Sequence, residues 1–155
     1  MPNRTLSLRS SQQVLDEIDR LERVGYTQGK KWTLSQACDH IGKTLAMGMN
    51  GAPFRLPWIL RKTVGPLVVR SILKSGRLPS LLKLDAPKPL LPKPSKTGKD
   101  DPQKIDWCRS MIREAEQFAG PLPPYPLMDN ISVDDWRLLN WIHAGHHLSF
   151  LIPKE

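Results

Sequence analysis

The chain has little cysteine. Only Cys38 and Cys108 occur in 155 residues, and they form no Cys-x-x-Cys pair. Two buried free thiols are therefore expected rather than a disulfide scaffold. No run of 18 apolar residues exists, which argues against a membrane-spanning helix, and no membrane partner is expected. The opening stretch MPNRTLSLRSSQQ has neither a continuous apolar core nor a small-residue cleavage site, so it predicts a cytoplasmic protein without a secretory signal. Internal repeats and strand-like alternation are missing as well. Acid is almost missing from one stretch: Ala52 to Lys99 holds eleven Lys or Arg against the single acid Asp85. The remainder carries twelve bases and fourteen acids, so the whole formal excess of +8 sits in that middle segment.

What remains reads as one helical domain. Val14, Ile18 and Leu21, with Leu15 beside them, recur at helical spacing and predict a helix over 11–24 with Asp16, Glu17, Asp19 and Arg20 mostly on other faces, ended by Gly25. After a short polar loop from Tyr26 to Lys31, Thr33 and Gln36 make a capping box for a helix over 34–50. Its apolar line is Leu34, Cys38, Ile41, Leu45 and Met49. Gly51 and Pro53 stop it. The segment Pro57 to Lys74 is apolar at Trp58, Ile59, Leu60, Val64, Leu67, Val68 and Ile72. Gly65-Pro66 in its middle predicts a kink or two shorter helices. From Gly76 to Asp101 prolines alternate with lysines, as in PKPLLPKP, which reads as an extended, partly mobile connection across the surface. Asp101-Pro102 opens a helix over 102–119 with Ile105, Cys108, Ile112, Ala115 and Ala119 inward, and Ser132 with Asp135 opens the last, over 133–151.

There are only four histidines: His40, His143, His146 and His147. On the last helix Val133, Trp136, Asn140, His143, His147 and Phe150 are separated by three, four, three, four and three residues, the seam that should face the interior. His143 and His147 stand one turn apart on that seam, where two imidazoles can reach one ion. The spacing leaves a second account open, in which they hydrogen-bond to Asn140, Ser149 or backbone, or are exposed near the C-terminus. The residues between them, Ala144, Gly145 and His146, lack the glutamate of a His-Glu-x-x-His protease helix. His146 points to the flank with Ile142 and Ser149. His40 lies beside the apolar line of its helix with Ala37, Thr44 and Gly48, small or polar neighbours that leave room for a ring.

The stretches KKWTLSQACDHIGKTLAMGMNG and YPLMDNISVDDWRLLNWIHAGHHLSF together resemble the DinB/YfiT-like superfamily of metal-binding four-helix bundles. Within it they are most similar to a branch of small bacterial proteins grouped as a domain of unknown function. There a Trp-Ser/Thr-Leu-x-Gln start precedes the first histidine and a His-x-x-His-His end closes the chain. The branch often has His-Pro where this chain has Tyr125-Pro126. The resemblance implies an all-α four-helix bundle, a single domain over 1–155 with a basic, proline-rich insertion at about 52–101. It also implies a three-histidine metal site made of His40, His143 and His147.

Three neutral ligands leave a position open on the ion, and imidazole suits Zn, Ni or Fe alike. The resemblance thus points to a metal-dependent hydrolase or a thiol S-transferase acting on a small-molecule substrate or thiol. His146 is then the candidate catalytic proton shuttle, with Asp39 and Asn140 as candidates for orienting ligand rings. The alternative is a non-catalytic binding module that uses the basic 55–99 stretch for a nucleic acid or protein partner, the nucleic acid being disfavoured because lysines among prolines usually form a solvated linker. A third reading keeps the fold and the ion without catalysis. A homodimer is expected from the resemblance, with the apolar Trp58 to Ile72 segment either packed on a second copy or lining the cavity.

Overall fold

The computed structural model describes residues 4–79 and 86–155. Among these the chain is mostly helical: α1 (Ser11–Val24), α2 (Leu34–Asn50), α3 (Trp58–Lys62), α4 (Val64–Ser75), α5 (Pro102–Gln117) and α6 (Val133–Leu148). A single 3-10 turn spans Lys88–Leu90, and two short strands, β1 (Tyr26–Gln28) and β2 (Leu151–Pro153), pair antiparallel. Part of the connection expected between Gly76 and Asp101 falls on 80–85, outside the described residues.

Local chemistry sets the helix starts. Ser10, Thr33, Asp101 and Ser132 each accept a hydrogen bond from a backbone amide two or three residues on, as N-caps do. The capping box of α2 is complete in both directions, and its other leading amides are taken too. The Leu34 amide donates to the Tyr26 hydroxyl and the Ser35 amide to Asp100, both at 2.8 Å. The Tyr26 hydroxyl in turn donates to Asp100. With its leading donors satisfied, α2 starts in a fixed place, and that places His40 two turns later.

The core lies where α1 and α2 each pack against both α5 and α6. Val14, Ile18, Leu21, Leu34, Leu45, Ile105, Ile112 and Leu148 are fully buried there. Each such side chain contributes about 1.5–3 kcal/mol by leaving water. Gly42 and Gly48 let this happen at close range: a Cβ at either would overlap the indole of Trp107 or Trp136. The space at Gly48 is thus filled by Trp136. Cys38 and Cys108 are buried free thiols.

Several expectations need correction. Glu17 does not lie on an outer face of α1; it is buried and paired with Arg4, whose guanidinium also donates to the carbonyl of Leu151 at 3.0 Å. Helix α5 ends at Gln117, leaving Ala119 exposed. Helix α6 stops at Leu148 rather than running to 151, because Leu151–Pro153 leaves to pair with Tyr26–Gln28. Three-residue strands carry no readable alternation. Nor is the expected seam the buried line of α6: only Trp136 and Asn140 of it are buried, Val133, His143, His147 and Phe150 are half-buried, and Leu139, Trp141, Ile142, Ala144, Gly145 and Leu148 are buried instead. The cause is that α6 has neighbours on three sides, α1, α2 and α4. The Gly65-Pro66 break is real. The helix divides at Thr63, Pro66 falls in the first turn of α4 where its missing amide costs nothing, and Gly65 lies against the Leu127 carbonyl with no room for a Cβ.

Candidate metal centre

Two helices bring the three histidines together. His143 and His147, one turn apart on α6, face His40 from α2. The Nε2 of His143 lies 3.2 Å from that of His40 and 3.0 Å from that of His147. One ligand nitrogen from each falls within 4.8 Å of the others. The edge of a tetrahedron around a zinc-like ion with metal–nitrogen bonds of 2.0–2.1 Å is about 3.3–3.4 Å, close to the two short separations.

The tautomers sharpen this. The Nδ1 of His40 lies 2.7 Å from the carbonyl of Leu90, which can only accept. His40 therefore carries its proton on Nδ1 and turns a bare lone pair on Nε2 toward His143. A single proton on His143 or His147 then serves one of the two short contacts and leaves the other with two nitrogens opposed. One cation between the three rings satisfies all of them at once.

Removal from water favours the neutral form of these rings, although only His40 is fully buried and His143 and His147 keep part of their surface exposed. It pushes the pKa of His143 and His147 well below the ordinary value, and neighbouring histidines add to the effect. His40 is lowered by burial too, opposed by its bond to the Leu90 carbonyl. Neutral imidazole is the form that binds metal. The described ligand set has no carboxylate, so an ion held there would keep its whole charge.

The supporting shell differs from the sequence expectation. Asp39 does not reach His40. It is buried, accepts the Lys93 amide at 3.1 Å and pairs with Lys43, with Lys104 at 3.7 Å. Its charge acts on His40 in the direction opposite to burial, and it also fixes the proline-rich segment whose Leu90 carbonyl orients His40. Lys43 also donates to Leu91 and Gln36 to Lys93, so residues 88–93 are docked on α2 rather than free to move. Asn140 does not orient His143; its side-chain amide donates to the Trp136 carbonyl of its own helix.

His146 stands outside the three. Its ring is edge-on to His147 and to Phe150, each at 5.2 Å between centroids. Its pKa is lowered by burial and by the charge of Lys30, whose ammonium sits 4.0 Å above the Phe150 ring. Sequence reasoning missed Trp32. Its indole is stacked on His147 and tilted against His40, 5.2 Å from each, and so covers one side of the cluster. The available signal was its place just before the Thr33 cap, where an apolar residue packs back on the helix it precedes. The β1–β2 pair and the Gly29 amide bonded to Phe150 hold this loop against the end of α6.

Residues 1–154 match a sequence family described as Protein of unknown function (DUF1569). The chain belongs to that family. No curated protein and no solved structure matches it.

Proposed function

We infer that this protein is a DinB/YfiT-like four-helix bundle, built from α1, α2, α5 and α6, that holds one divalent transition metal on His40, His143 and His147. We read its function as metal-dependent hydrolysis or thiol transfer on a small molecule. The observation that carries the reading is the convergence of three Nε2 lone pairs with His40 locked in the binding tautomer by Leu90.

The ion, when bound, supplies Lewis acidity toward a water, a thiol or a carbonyl. The remaining work falls to the chain. The α2 and α6 backbones fix the three rings in place. Trp32 excludes water from the side it covers. His146, neutral at pH 7 and beside the cluster, accepts a proton from the attacking group and returns it to the leaving group. Lys30 places a positive charge next to that ring.

The test is metal content by mass spectrometry on purified protein beside His40→Ala and His143→Ala. About one equivalent in the wild type and none in either variant is expected for a three-ligand site. Turnover of thiol acceptors or hydrolysable esters by the loaded protein, lost on chelation and reduced in His146→Ala, completes the reading. A wild type that takes up no metal on reconstitution sinks it.

A further inference from the structure

The α3–α4 segment, a helix broken at Thr63, inverts the usual surface. Trp58, Ile59, Val64 and Leu67 are 62%, 54%, 53% and 65% exposed, and Leu60 is partly so. On α4 the sides divide cleanly. Gly65, Val69 and Ile72 turn inward onto Leu139 and Ile142 of α6. Val64, Leu67, Ser71 and Lys74 follow helical spacing on the opposite side. Lone exposed apolar residues are ordinary, but five large ones on one segment are not.

The Arg61 guanidinium pairs with Asp129 at 2.9 Å, Arg55 pairs with the same carboxylate at 3.1 Å, and the Leu56 amide donates to the Pro126 carbonyl. The segment that carries these exposed apolar residues is therefore anchored to the loop before α6.

Charge selects the occupant. Residues 52–79 contain Arg55, Arg61, Lys62, Arg70, Lys74 and Arg77 and no acid at all. Lys62, Arg70 and Lys74 are exposed and have no carboxylate partner among the described residues. A second copy docked across a two-fold axis would bring this basic rim onto itself, and like charges facing one another oppose association. A nucleic acid would match the bases but leave the tryptophan and the aliphatic side chains in water. An anionic lipid surface matches both: headgroups for the Lys and Arg, and the acyl boundary for Trp, Ile, Val and Leu.

We propose that the α3–α4 segment docks this protein on anionic lipid surfaces, inserting Trp58, Ile59, Val64 and Leu67 at the headgroup boundary while Lys62, Arg70 and Lys74 bind the headgroups. No described helix is long and apolar enough to cross a membrane, so the attachment is peripheral. The inference is independent of the metal reading.

The experiment is vesicle flotation of the full chain, with phosphatidylcholine alone or with about a third phosphatidylglycerol. The wild type should float with the anionic vesicles and lose binding as salt rises. Trp58→Ser/Leu67→Ser should weaken binding about a hundredfold. Lys62→Gln/Arg70→Gln/Lys74→Gln should weaken it on the order of a hundredfold. Both variants keep the buried side of α4, and an unchanged circular dichroism melt checks their fold. Three outcomes overturn the proposal: no binding by folded wild type, a charge variant that loses binding while the apolar variant keeps it, or a dimer in light scattering that Leu67→Ser converts to monomer.

Discussion

Two regions of this protein break the rule of burial in opposite directions. Where α2 meets α6, three imidazoles face one another, His40 buried and His143 and His147 half-buried, at positions where leucine would ordinarily pack. On the α3–α4 segment, a tryptophan and several aliphatic side chains stand in solvent that would ordinarily meet lysine or glutamate. The first arrangement costs stability, because buried polar rings give up water and oppose their own lone pairs. The second risks association. Neither the histidines nor the exposed apolar residues belong to the two apolar clusters of the core. The places where a chain departs from what folding alone asks for are where a ligand is to be sought.

The largest test exchanges one region's chemistry for the core's. His143→Leu should abolish metal uptake while raising the stability of the metal-free protein by about 1–2 kcal/mol, since a polar ring gives way to an apolar side chain of similar size. Metal analysis and urea unfolding of chelated samples measure both. A variant that is less stable without metal would mean that the histidine cluster is internally satisfied by hydrogen bonds.

Acid should act on the histidine region and leave the α3–α4 segment alone. His143 and His147 have folded pKa values well below the ordinary 6.5, so below that pH the unfolded chain binds protons that the folded chain does not. Stability from this source is complete above about pH 6.5 and falls as pH drops, by up to about 1.4 kcal/mol per pH unit for each ring. Unfolding midpoints of metal-free protein at pH 7.5 and 5.5 check it, and the slope should flatten in His143→Leu. An equally steep slope in that variant would place the titrating groups elsewhere.

Asp39→Asn probes the same region at one remove. The change leaves every ligand in place but weakens the hold on the Lys93 amide and on Lys43, and with them the segment that presents the Leu90 carbonyl to His40. Loss of a partner that orients a ligand typically costs 10–100-fold in metal affinity. Competition with a colour-forming chelator reads this directly. Unchanged affinity would show that the segment stays docked through Lys43 and Gln36 alone.

The two regions were unequally legible in the sequence. The caps at Thr33, Asp101 and Ser132 and the pairing of His143 with His147 are local, fixed by spacing within one or two turns, and they stand where the sequence puts them. That α6 faces neighbours on three sides blurs its pattern, and so the seam through Asn140 named a ring-orienting partner that bonds to its own helix instead. The true partner of His40 is a backbone carbonyl 50 residues away in a proline-rich stretch. A carbonyl leaves no residue-type signal, and a 3-10 turn leaves no periodicity. The α3–α4 segment's break at Gly65-Pro66 was readable, but which of its apolar residues are buried depends on α6, which only the folded chain supplies.

The smallest predicted effect falls on the α3–α4 segment. Trp58→Ser/Leu67→Ser removes two large side chains, a change that in the core would cost several kcal/mol. Both are more than three-fifths exposed, at 62% and 65%, and neither belongs to the buried Val69–Ile72 cluster. Unfolding free energy should therefore shift by no more than about 0.5 kcal/mol, and metal content should not change. Thermal or urea denaturation of the two proteins side by side decides it. A loss of 2 kcal/mol or more, well above the roughly 0.5 kcal/mol of an ordinary surface change, would mean that these side chains are covered in solution by the protein itself. Near-zero cost would mean that the apolar side is carried on the surface at no benefit to the fold, which leaves binding as the physical account of its presence.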